Sequence, residues 1–104
     1  MKLFICESKA LLEQHIDTSK YEMISIFDVP QFDKTSWINL MKTKVSTKSD
    51  KPLLIWYPEM YLNIVEQQTF LEELIKIQQR EFDVFTDSPY IISDDSLEEF
   101  IYPV

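Results

Sequence analysis

A chain of 104 residues with 18 acids against 10 bases, a formal charge of −8, fits one domain and leaves no room for a second. Hydrophobic residues at 45% and aromatics at 13% can fill a packed core, which argues against wholesale disorder. There is no glycine, so neither G-x-x-x-x-G-K-[ST] nor G-x-G-x-x-G can occur, and nucleotide binding by either phosphate-wrapping loop is excluded.

The elements follow in chain order. Lys2–Glu7, KLFICE, is a short β-rich run, and its solitary Cys6 permits no internal disulfide and reads as a small core hydrophobe. SKALLEQHI predicts a helix capped by Ser8, with Leu11, Leu12 and Ile16 on one face. Tyr21–Val29, YEMISIFDV, reads as a strand with two largely apolar faces, hence an interior strand, ended by Pro30. TSWINLMKTK predicts a short helix capped by Thr35 or Ser36, with Trp37, Leu40 and Met41 facing the core, before a polar loop VSTKSDK.

Lys51–Trp56, KPLLIW, is continuously apolar behind its proline, as in a strand buried on both faces, and Pro58 breaks it. Asn63, with Glu66 three residues on, predicts a capped helix whose core stripe is Phe70, Leu71, Leu74 and Ile77. FDVFTD is a further short strand, SPYIIS turns and extends again, and Ser96–Pro103 is a helical turn or a terminal strand. Strands alternating with helices indicate a single α/β domain over residues 1–104, with a mixed, largely parallel sheet and flanking helices.

No run approaches the ~18 apolar residues of a transmembrane helix. The opening MKLFICESKALLEQH has too short an apolar patch, and no small-residue cleavage site, to be expected to act as a signal peptide. The expected compartment is the cytoplasm, with no membrane partner. Charge is unevenly placed. Lys34, Lys42, Lys44, Lys48 and Lys51 are half of all the bases, while Glu81–Val104 holds seven acids and no base. An acidic surface repels phosphate backbones, so direct nucleic-acid binding is not expected, save through the lysine segment.

Read as a unit, KPLLIWYPEMYLNIVEQQTFLEELIKIQQREFDVFTDSPYIIS resembles the C-terminal half of ABC-type ATPase domains of the overcoming-lysogenization-defect, SMC and DNA-repair group. LLIWYPE sits where that family has its Walker B strand, YLNI where Leu-His-Pro lies, and TDSPYIIS where the histidine-switch motif falls. The likeness covers residues 51–93. The departures from the family pattern are all chemical. The strand tip that holds magnesium and polarises water carries Trp56 and Tyr57, which can neither bind a hard cation nor accept a proton at neutral pH. The switch histidine is replaced by Asp87, and the phosphate loop is missing. Scaffold residues Pro58, Glu59, Leu62, Ser88 and Pro89 remain. The resemblance therefore implies a non-catalytic pseudo-ATPase fragment without cofactor or metal.

Other chemistry is weakly specified. His15 is the only histidine and has no designated nucleophile, and one Cys with one His builds no zinc site. Large aromatics beside a methionine near a strand tip suit a protein-binding hot spot. Trp56 reads as core, whereas Tyr57, Met60, Tyr61, Asn63 and Asp87 are expected to form a partner-binding patch, because in the resembling ATPases the segment after Walker B faces the partner subunit. The expected function is a protein-interaction module, a phage or bacterial regulator or inhibitor docking on an ABC-type ATPase or another defence or repair protein. Self-association stays open. The alternative is an acidic DNA mimic that blocks a nucleic-acid-binding protein through Asp94, Asp95, Glu98 and Glu99.

Overall fold

The computed structural model describes residues 1–58, 62–87 and 101–103. Among them five strands, β1 (Leu3–Ile5), β2 (Glu22–Ile24), β3 (Leu53–Trp56), β4 (Phe82–Thr86) and β5 (Ile101–Pro103), form one sheet in the order β2-β3-β4-β1-β5. Every described pair is parallel, in keeping with the largely parallel sheet expected, and no antiparallel pair occurs among the described residues. Helices α1 (Lys9–His15), α2 (Lys34–Ser46) and α3 (Ile64–Ile77) cover it. The α/β expectation holds.

Alternation along the strands divides the apolar side chains between two cores. Leu3, Ile24, Leu53, Ile55, Phe82 and Val84 meet Trp37, Met41 and Val45 of α2 and Phe70, Leu71 and Leu74 of α3. On the other face Phe4, Leu54 and Phe85 meet Leu12 of α1, with Cys6 beside them. Helices α2 and α3 thus follow β2 and β3 on one face, and α1 leaves β1 on the other. Chain direction along the sheet reverses between these two sets, as right-handed crossovers require.

Each helix start has a stated cause. Ser8 Oγ accepts from Leu11 N at 3.2 Å, and Asn63 Oδ1 accepts from Glu66 N at 2.9 Å while its Nδ2 donates to Glu66 Oε1 at 2.6 Å. Both caps are the expected ones. On α2 the cap is Asp33, ahead of the expected Thr35 or Ser36. Its Oδ2 accepts from both the amide and the hydroxyl of Ser36 at 2.9 Å, so Ser36 supplies donors to the cap rather than forming it. The helix also runs on through Val45, because Val45 completes the buried row after Trp37 and Met41.

The expected strand Tyr21–Val29 is corrected. Only Glu22–Ile24 pairs, and it lies at one end of the sheet rather than in the interior. Ser25 ends it by capping a 3-10 turn, Ile26–Asp28: Ser25 Oγ accepts from Phe27 N, and Asp28 Oδ2 accepts from Ser25 N at 2.8 Å. A second 3-10 turn begins at Pro30. Apolar Ile26 and Val29 remain buried, but from turns. Of the terminal segment, Ile101–Pro103 is strand; SPYIIS and the residues between it and Ile101 lie outside the described residues.

At the amino edge of the sheet one arginine joins three strands. Arg80, 7% exposed and just before β4, donates from Nε to Lys51 O at 2.7 Å and from Nη1 to Glu22 Oε2 at 3.0 Å. Lys44 Nζ completes the carboxylate, 3.1 Å from Glu22 Oε1. Hydrogen bonding from Lys44 and then from Arg80 holds the Glu22 carboxyl below its ordinary 4.5, with burial opposing. Beside it Asp83 accepts from Tyr21 Oη and Lys2 N, both at 2.7 Å. Burial and the Asp83 carboxylate push the Tyr21 phenol well above its usual 10.

Two outcomes follow. Leu54→Ala is expected to destabilise by about 3 kcal/mol, because a fully buried leucine leaves a cavity; Val65→Ala, at a 74% exposed site, stays within about 0.5 kcal/mol. Urea denaturation of both variants checks this. Because the Glu22 pKa is depressed on folding, its stabilisation is present above pH 4.5 and is lost as pH falls through the lower folded value. Glu22→Gln is therefore expected to cost about 1 kcal/mol at pH 7 and to flatten the acid limb of the melting temperature against pH.

Candidate functional site

In a parallel α/β sheet, ligands and partners are met at the carboxyl ends of the strands, where the connecting loops converge. Here that edge is formed by Cys6 and Glu7 after β1, Ser25 after β2, Trp56 and Tyr57 at the end of β3, and Thr86 and Asp87 at the end of β4. Strands β3 and β4 are in register with Trp56 opposite Phe85. Tyr57 N donates to Phe85 O at 2.8 Å and Cys6 N to Thr86 O at 3.1 Å, so the three strand tips are tied by backbone bonds.

Aromatic rings fill the space above those tips. The Trp56 ring meets Phe85 edge-on, with centroids 6.0 Å apart and planes at 77°. Tyr57 tilts against the same Phe85 ring at 5.4 Å. Lys9, the first residue of α1, sets its ammonium 4.3 Å from the centroid of the Trp56 ring, a cation–π contact across the sheet edge. It also lies 3.7 Å from Glu13 one turn on. Trp56 Nε1 is buried and has no hydrogen-bond acceptor. A cleft of about 170 Å³ between Met23, Ser25, Asp28 and Trp56 opens beside it.

Tyr57 is held at φ 51, in the left-handed region that a non-glycine side chain enters at a cost of roughly 1–2 kcal/mol. Gln31, at φ 58 and exposed, is the other such residue among those described. A chain without glycine must put ordinary side chains in these positions. At Tyr57 the conformation turns the chain off β3 while the ring stays on Phe85.

Tyr57 is half-buried and Asp87 exposed, on neighbouring strand tips. Asn63 is exposed at the start of α3, and its amide is engaged in the cap with Glu66. Met60 and Tyr61 lie outside the described residues, as do Asp94, Asp95, Glu98 and Glu99 of the acidic alternative. Trp56 is partly buried and packs against the smaller core. Cys6 is buried, and its Sγ lies 3.4 Å from Ser8 O. His15 is exposed at the end of α1. Among the described residues, no three His, Cys, Asp or Glu side chains gather as a metal site. No described helix is long and apolar enough to cross a membrane.

Two features of this edge were missed in the sequence. Lys9 over Trp56 joins residues far apart in the chain, and nothing local signals it. The left-handed turn at Tyr57 had a faint signal, a strand ending against Pro58 in a chain without glycine. Compared with known proteins, the chain matches no family model, no curated protein and no solved structure.

The two left-handed residues separate strain from packing. Gln31→Gly is expected to raise stability by about 0.5–1 kcal/mol, by releasing strain at an exposed site where the side chain packs little. Tyr57→Gly is expected to give no gain, because its ring no longer covers Phe85. Thermal denaturation of both variants is the measurement, and a gain at Tyr57 matching that at Gln31 would show that its ring contributes nothing.

Proposed function

We propose that this chain is a non-catalytic protein-interaction module of the cytoplasm that docks on another protein through the carboxyl edge of its sheet. The partner proposed first is an ABC-type ATPase of a phage-defence or repair system, which the module regulates or inhibits. One observation carries the reading: the tip of β3, where an ATPase of that kind presents its metal-binding carboxylates, is occupied by Trp56 and Tyr57, both packed against the Phe85 ring, one edge-on and one tilted.

Supporting geometry comes from the neighbouring strands. The resemblance needs β3 and β4 to be adjacent and parallel with a helix between them in the chain, and they are. On the far side of β4 lies β1, which passes to α1 through Cys6, Glu7 and Ser8 alone. A phosphate loop occupies a strand-to-helix connection of that kind, but it is longer and glycine-dependent. Three residues with an exposed Glu7 carboxylate would repel a triphosphate rather than wrap it. Asp87 at the tip of β4 adds a second negative charge.

What remains suits contact with protein. Stiff aromatics at a rigid edge lose little conformational freedom on binding and are the residue types that dominate interface energetics. Tyr57 is fixed by backbone and ring alike, so the surface is preorganised.

The test titrates the protein into ABC-type ATPases while turnover is recorded, alongside measurement of complex formation. Turnover is expected to change with a stoichiometric complex, and Tyr57→Ala to weaken that complex by at least about tenfold, as for a central aromatic anchor. Weakening on raising the salt with no effect of Tyr57→Ala would favour the acidic DNA mimic instead. No complex and unaltered turnover across the candidate ATPases would end the proposal.

A further inference from the structure

At the opposite, amino edge of the sheet the lysine-rich segment closes on Arg80 around a cleft of about 440 Å³. It is lined by Lys44, Lys51 and Arg80 against the single carboxylate of Glu22, with Thr43, Thr47 and Ser49 completing the wall. Three bases facing one acid is unusual on a chain of charge −8. Glu22 lies close to both Lys44 and Arg80, and together they leave a net positive charge that Lys51 doubles. Among the described residues Lys51 Nζ has no carboxylate within salt-bridge distance, and the residue is exposed.

The donors are positioned by the fold. Arg80 has a side chain only 5% exposed, and its bonds to Lys51 O and Glu22 fix its plane. A buried, immobilised guanidinium loses little freedom when it meets a ligand. Ser49 Oγ accepts from Lys51 N at 3.3 Å and keeps its own proton for a ligand. The last turn of α2 points its carbonyls this way, which would oppose an anion. Thr43 O, however, is capped by Ser46 Oγ at 3.2 Å and Thr47 Oγ1 at 2.7 Å, which blunts that opposition.

We infer that this cleft is a binding site for a small tetrahedral oxyanion of the phosphate or phosphomonoester class, held by Lys44, Lys51 and Arg80 with Ser49 and Thr43 donating. Compact charge on lysine and a fixed arginine is the arrangement that recognises such dianions. The site lies at the opposite edge of the sheet from the proposed docking edge, so either can fail without the other.

The probe is inorganic phosphate, titrated into the full chain at constant ionic strength and followed by amide chemical shifts, with O-phosphoserine and glycerol phosphate in parallel. Saturable shifts confined to residues 43–51 and Arg80 are expected. Binding should strengthen between pH 5.5 and pH 7.5 as the dianion forms, around pH 6 for a phosphate monoester. Lys51→Gln should weaken it about tenfold, the loss of one charge-assisted contact, with the melting temperature unchanged; Ser49→Ala should weaken it less. Tighter binding of the two esters would identify a small phosphorylated molecule as the ligand, and preference for inorganic phosphate the free ion. Shifts that sodium chloride reproduces, shifts spread over Lys9 and Lys76, or undiminished affinity in Lys51→Gln would overturn the assignment.

Discussion

Leu53, Leu54 and Ile55 are all fully buried, yet they point alternately into two different cores, Leu53 and Ile55 against α2 and α3, Leu54 against α1. A parallel sheet is stable only when both faces are dry, and β3 is where this chain meets that condition most completely. The remaining organisation serves it. Helices must lie on both sides, so the connection leaving β1 takes one face and those leaving β2 and β3 take the other. The helices must then be joined to one another. Lys34 with Glu66 and Lys42 with Glu73, each at 2.9 Å, tie α2 to α3 across their exposed sides. Such exposed pairs add little stability, but they orient two helices whose buried faces fix their position.

The two edges of the sheet are treated differently, and polarity explains why. At the amino edge two separate polar groups close the strand starts: Arg80 and Lys44 share Glu22, with Arg80 also bonded to Lys51 O, while Asp83 accepts from Tyr21 and from Lys2 N. At the carboxyl edge the strands end in rings. Trp56 and Tyr57 share Phe85, and a lysine of α1 sits over the indole. The first edge is solvated and electrostatic, and so responsive to pH and ions. The second is stiff and aromatic, rimmed by Glu7, Lys9 and Asp87, with left-handed strain at Tyr57 offset by its ring contact.

Much of the fold was legible because its signals are local. LLIW, flanked by two prolines, can hardly be anything but a buried strand. Ser8 and Asn63 announce their helices through side chains that reach amides three residues away. The failure at Tyr21–Val29 is equally physical. Its alternation is compatible with a long strand, but Ser25 and Asp28 have the spacing of a reciprocal cap, and satisfying two amides locally outcompeted extending a ladder at the sheet's end. Asp33 displaced Thr35 and Ser36 for a similar reason, since a carboxylate accepts from two Ser36 donors at once. At the candidate site, Tyr57 and Asp87 were legible through their position at strand tips. The cation–π contact of Lys9 and the burial of Arg80 were not, because both depend on which strands become neighbours, and strand order has no local signature.

The lysine segment shows how far composition misleads about surface. In sequence it is a run of positive charge and the one plausible place for a polyanion. In the fold, Lys34 and Lys42 face α3 carboxylates and Lys44 faces Glu22. Lys34 and Lys42 therefore present neutralised pairs to solvent, Lys44 shares its one carboxylate with Arg80, and a long phosphate backbone would find no continuous stripe to follow. What survives is short-range: Lys44, Lys51 and Arg80 converge on one cleft because β2, β3 and β4 begin at the same edge. The sheet has exchanged an extended basic segment for a compact one, which changes the size of anion the protein can meet from a polymer to a single group.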